Sequence, residues 1–154
     1  MAIFEHTMLF PHPIEVMFDF FCRPASLVTI SPPELHMQLV EGPEQIALGS
    51  RITLKGRRWG LTQTIVSEIT LFEPHSRFID IMIKGPFRKW EHAHEFVELN
   101  GGTRVTDRIS YESPGGLLGL AATKSVVKRD LERVFQYRSA RLTEMMDGKN
   151  CNES

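Results

Sequence analysis

The chain has 154 residues, 42% of them hydrophobic and 24% charged, and its 18 basic and 19 acidic side chains leave a formal net charge of -1. That size fits one globular domain with a real core, and the near-neutral balance supplies no field for a phosphate backbone or an anionic membrane, which excludes nucleic acid as a partner. Two cysteines, Cys22 and Cys151, are too few and too scattered for a disulfide framework or a zinc site; no apolar run approaches the roughly 18 residues of a membrane span and no basic-then-apolar leader opens the chain, so a soluble, unprocessed, cytoplasmic protein is expected.

Residues 3 to 10 carry Ile3, Phe4, Met8 and Leu9 among polar positions and stop at Pro11-His12-Pro13, which predicts a first strand. From there Ile14, Met17, Phe18 and Phe21 recur at helical spacing behind Pro13, a residue that opens a helix without losing a needed N–H. Ala25 to Ile30 suits a second short helical turn, closed by Ser31-Pro32-Pro33. Between Leu35 and Glu112 the helical period vanishes. Five or six extended runs follow, broken at Glu41-Gly42-Pro43-Glu44, at Lys55 to Gly60, at Phe72-Glu73-Pro74-His75, at Lys84-Gly85-Pro86 and at Asn100-Gly101-Gly102. None of these gaps holds a helical crossover, so the strands are expected to be antiparallel neighbours.

After Ser113-Pro114-Gly115-Gly116, an apolar stripe of Leu120, Val127, Leu131, Val134, Phe135, Leu142 and Met145 predicts one helix of roughly 28 residues from about Leu117. One long amphipathic helix following a many-stranded meander buries its stripe by lying across the concave face of the sheet. The expected fold is therefore α+β: a curved antiparallel sheet wrapped around a long C-terminal helix, with two short helices after the first strand. It is expected to form one domain over 1–146, with 147–154 as a polar, frayed tail.

Period-two alternation sorts the faces. Val105, Asp107, Ile109 and Tyr111 point inward on the last strand, and Trp90, His92, His94 and Phe96 share the inner face of the strand before it. For Phe78, Asp80 and Met82 against Ile79, Ile81 and Ile83 the pattern does not decide. Arg138 lies seven residues after Leu131 and four before Leu142, on the apolar stripe, and a guanidinium there requires a partner. An inward Asp107, with Asp80 as a second choice, is expected to supply it, and His92, His94 and Tyr111 to complete a hydrogen-bonded set.

These residues carry a resemblance. The chain resembles, over nearly its whole length, the START-like superfamily of polyketide cyclases, aromatase-like proteins and birch pollen allergen relatives, the SRPBCC domains. It is most similar to a bacterial branch with little assigned function. The segments concerned are Leu27 to Ser31-Pro32-Pro33, Gly49-Ser50, Phe78-Ile79-Asp80 and, most specifically, Gly85-Pro86-Phe87-Arg88-Lys89-Trp90-Glu91-His92-Ala93-His94-Glu95-Phe96. Gly102-Thr103, Asp107, Tyr111, Pro114-Gly115 and Phe135-Gln136-Tyr137-Arg138 follow. The resemblance implies a helix-grip fold with seven strands and a hydrophobic cavity under the helix. It implies no single mechanism, because such proteins carry lipids, bind aromatic molecules or catalyse cyclisation and dehydration.

Binding of a hydrophobic, amphipathic or aromatic small molecule is thus the expected function, with Trp59, Phe78, Trp90, Phe96, Tyr111 and Phe135 as cavity walls and Arg138 among the interior polar groups. Acid–base catalysis is the alternative, with His92 or His94 moving a proton and Asp107 orienting it. His92 and His94 stand about 7 Å apart along one strand face, but two histidines on a strand lack the spacing of a zinc motif, so no metal is expected. The glycines after Ser113 lack the ending of a phosphate loop, and no cofactor is expected. Lys55-Gly56-Arg57-Arg58 is read as a solvated hairpin tip. An outward Ile79, Ile81 and Ile83 would offer a face for a homodimer or another interaction.

Overall fold

The structure is a computed structural model that describes residues 1–153, with side chains through Asp147. Strand β1 (Ala2–Phe10) leads into helices α1 (Ile14–Phe21) and α2 (Pro24–Thr29) and a 3-10 turn at Pro33–Leu35. The meander β2 (Gln38–Glu41), β3 (Arg51–Arg58), β4 (Leu61–Glu73), β5 (Arg77–Lys84), β6 (Lys89–Leu99) and β7 (Gly102–Glu112) follows, then α3 (Gly116–Ala121) and α4 (Lys124–Glu153). All seven strands form one antiparallel sheet in the order β1-β7-β6-β5-β4-β3-β2, as expected of a sheet that grips a C-terminal helix.

Each strand pairs with its sequence neighbour except β1, which returns to pair with β7 from Ala2 opposite Tyr111 to Phe10 opposite Thr103. Register shifts at Val66/Ser67 and Ile69/Leu71 bend β4 against β5, and bulges of this kind increase local twist and curve the sheet toward the helix. On the concave side, Val127, Leu131 and Phe135 of α4 are buried together with Phe4 and Ile109 of the sheet. A second core joins Leu142 and Met146 of α4 with Met8 and Val105 of the sheet to α1, where Phe18 stands edge-on to Phe96 and Phe78.

Two expectations change. The C-terminal helix is broken: α3 ends before a buried Ala122, and α4 starts afresh where the Thr123 hydroxyl accepts from the Val126 N–H at 3.4 Å. Gly116 and Gly119 are weak helix formers, and a threonine at a helix start satisfies an otherwise orphaned donor, so a restart costs little. Leu120 consequently leaves the stripe and is 78% exposed, while Met145 packs half-buried against the core beside the fully buried Met146. Second, Lys55-Gly56-Arg57-Arg58 is strand, not a hairpin tip. The turn sits at Trp59-Gly60, both at positive φ (51° and 77°), the conformation a two-residue hairpin demands. Gly56 is there for a close approach, since a Cβ on it would stand 3.3 Å from the Leu35 carbonyl oxygen. The polar tail expected over 147–154 falls almost wholly outside the described side chains.

Candidate functional site

A cavity of about 170 Å³ lies between the sheet and α4, walled by Leu54, Met82, Trp90, Leu131 and Phe135. A smaller space of about 90 Å³ toward α1 shares Leu54, Ser67, Asp80 and His94 with it. Sheet alternation delivers the polar groups. His92 and His94 come from β6, Asp107 from β7, and Asp80 from β5, whose ambiguous face is now settled: Phe78, Asp80 and Met82 look inward and Ile83 is 47% exposed on the convex side.

The register sets Asp80 opposite His92 and His94 opposite Asp107, yet the short hydrogen bonds run diagonally. His92 Nε2 donates to Asp107 Oδ1 at 2.7 Å and His94 Nε2 to Asp80 Oδ2 at 2.8 Å. His94 Nδ1 also comes within 3.2 Å of Asp107 Oδ1, without hydrogen-bond geometry. The two imidazoles stack 3.7 Å apart at 25°, and Phe78 stacks on the far side of His94 at 4.1 Å.

Burial alone would drive the proton off His94, but the close approach of Asp107, the bond to Asp80 and the charges of both carboxylates outweigh it and push its pKa up to about 9. His92 moves the other way: burial and the neighbouring His94 cation lower it, and Asp107 offsets them only in part. Burial would raise the Asp107 carboxyl, but the two histidines hold it well below the usual range. At neutral pH the cluster is therefore an imidazolium between two carboxylates, beside a neutral imidazole. Because that neutral His92 donates its Nε2 proton to Asp107, its Nδ1 keeps the lone pair.

Arg138 departs from its expected role. It reaches the cavity from α4, as its place on the stripe predicts, but no carboxylate of the described residues comes within 4 Å of it. Its Nε is enclosed with no hydrogen-bond partner, and its guanidinium lies 5.1 Å over the Phe135 ring. Burial, then repulsion from Arg58, lower its pKa to about 10. Asp107 keeps one oxygen, Oδ2, enclosed and without a partner, so it is distance and not a lack of acceptors that leaves Arg138 unpaired. Arg58 lines the same cavity and pairs with Asp130 of α4 at 3.4 Å; burial is also the main cause of its lowered pKa.

Of the expected wall residues, Trp90 and Phe135 line the main cavity and Phe78 the smaller one. Phe96 is packed between Phe18 and Phe21, Tyr111 is buried behind Trp90, and Trp59 caps Phe87 at the hairpin tip, so these three support the wall without forming it. Asp107 likewise sits behind the histidines, 2% exposed. Sequence reasoning missed Arg58, Met82, Phe87 and Leu54 as lining groups. Arg58 was recoverable from alternation once Gly56 was read as strand. Asp80, His92 and His94 offer ligand atoms within 4.8 Å of one another, with His94 Nε2 hydrogen-bonded to Asp80 and His92 Nε2 to Asp107.

A family described as polyketide cyclase / dehydrase and lipid transport matches residues 10–137. The chain belongs to this family. Among solved structures, a START superfamily protein from Mycobacterium smegmatis superposes with a TM-score of 0.73 at 11% identity, over 95% of this chain and 97% of that one. The protein TTHA0849 from Thermus thermophilus gives 0.71 at 16% identity, over 94% and 99%. The ginseng major latex-like protein 151 from Panax ginseng gives 0.64 at 16% identity, over 90% and 95%. No curated protein sequence matches. At these identities the likeness establishes the START-like helix-grip fold of this polyketide cyclase family member, and nothing about its ligand. No helix of the described residues is long and apolar enough to cross a membrane.

Proposed function

We propose that this protein binds a hydrophobic or amphipathic small molecule in the space between the sheet and α4. The observation that carries the reading is the cavity of about 170 Å³, whose walls are mostly apolar and whose few polar groups converge from β5, β6 and α4. An apolar cavity of about 150 Å³ accepts a benzene-sized molecule, so this one and its neighbour suit a one- or two-ring body or a short chain. Native mass spectrometry of the purified protein tests it: a retained organic mass released on denaturation is expected. Bare protein that also takes up no aromatic probe would sink the reading.

A second reading rests on His92, a neutral imidazole on the cavity wall whose Nδ1 keeps a lone pair while Asp107 orients the ring. It assigns acid–base chemistry of the cyclase or dehydratase kind, with His92 taking and returning a proton. Turnover of the co-purified molecule that disappears in His92→Gln would favour it over carriage. The cytoplasm remains the proposed compartment. Self-association through the convex face of β5 is tested by sedimentation velocity at several concentrations, where a mass independent of concentration and equal to one chain removes it.

A further inference from the structure

Among the described residues, Arg138 donates to no protein acceptor, although it is half-buried at the cavity wall, its Nε is enclosed and it carries five N–H groups. A cation placed there for structure alone is expected to meet a carboxylate, because an unpaired buried charge is costly. Asp80 and Asp107 attract it from beyond 4 Å, but each is already held by a histidine at 2.7 or 2.8 Å. Arg58, Arg57 and Lys55 line the same space, and Asp80 is the single carboxylate that does. Lys55 and Arg57 are exposed positions of β3 and Arg58 is paired with Asp130, so the wall where β3 meets α4 has an excess of positive charge centred on Arg138, next to the apolar Trp90, Leu131 and Phe135.

We infer that the ligand is an amphipathic organic acid, its carboxylate received by the planar fork of Arg138 and its apolar body packed against Trp90, Leu131 and Phe135. This rests on the cavity-binding reading and narrows it to a class. A guanidinium matches a carboxylate with two parallel hydrogen bonds, and these are stronger than neutral ones. The anion also relieves the repulsion between Arg58 and Arg138. A neutral hydrocarbon would cover the guanidinium without answering any of its donors.

The test titrates the protein with 2-naphthoate and with its neutral isostere 2-naphthamide at pH 7.5, following tryptophan fluorescence. The acid is expected to bind at least about tenfold more tightly, the range of one charge-assisted contact. Arg138→Met should abolish that preference while leaving the naphthamide affinity within about threefold, and Arg138→Lys, which keeps the charge without the fork, should retain part of it. Because Met removes an unanswered buried cation, that variant is expected to melt no lower than the wild type. Equal binding of acid and amide, or a preference that survives Arg138→Met, overturns the acid class and leaves the cavity reading standing. Failure of both probes to bind overturns the cavity reading, and the inference with it. If Arg138→Met does not fold, Arg138→Gln gives the same readout.

Discussion

His94 holds a proton in a buried place because two carboxylates reach it from adjacent strands, and this couples stability to pH with a definite sign. Its pKa rises from 6.5 to about 9 on folding, so its contribution is fully present below pH 6.5 and is lost as pH climbs toward 9. The loss is roughly 3 kcal/mol at most. His92 acts oppositely: its lowered pKa withdraws stability as pH falls below 6.5. Urea unfolding across pH 5.5–9.5 should therefore show a maximum near neutrality, and His94→Gln should flatten the alkaline limb; an unaltered limb would refute the assigned imidazolium. Asp107→Asn removes the carboxylate that accepts from His92 and lies 3.2 Å from the His94 imidazolium, and is expected to cost about 3 kcal/mol, the penalty of breaking a buried pair. An unchanged unfolding midpoint would contradict that. These inward positions were legible from alternation alone, because a strand's period of two leaves no freedom once one face is apolar. Which histidine meets which carboxylate was not legible. Register fixes the partners, and here the bonds cross the register diagonally.

At the scale of elements, the break between α3 and α4 separates residues that a single stripe would group together. Leu120 is 78% exposed and Leu131 is 1% exposed. Leu131→Ala should cost about 2–5 kcal/mol by thermal or urea denaturation, and Leu120→Ser should stay within about 0.5 kcal/mol. Comparable losses at both sites would restore the unbroken helix. The stripe's period was readable from Val127 onward, where each apolar residue packs on the sheet. Its start was not, since glycines and a threonine decide it through capping, which leaves no mark on hydrophobic spacing. The β3–β4 hairpin makes the same point: a glycine marks either a turn or a close approach, and only the 3-10 turn against Gly56 distinguishes them.

For the whole molecule, composition and turn spacing sufficed to foresee one sheet around one helix, because six strands joined by short turns have few other ways to bury a long amphipathic helix. The cavity was foreseeable only through family resemblance. Its volume is a remainder after side chains have packed, and no local pattern encodes a remainder. The pairing order has a consequence in time. Five of the six strand pairs join neighbours in the chain and can form as hairpins within microseconds, whereas β1 must find β7 across roughly a hundred intervening residues. During synthesis β1 emerges first and its partner last among the strands. The apolar Phe4, Met8 and Phe10 face therefore waits without its final neighbour until the ribosome has delivered Glu112, an interval in which it is open to wrong contacts.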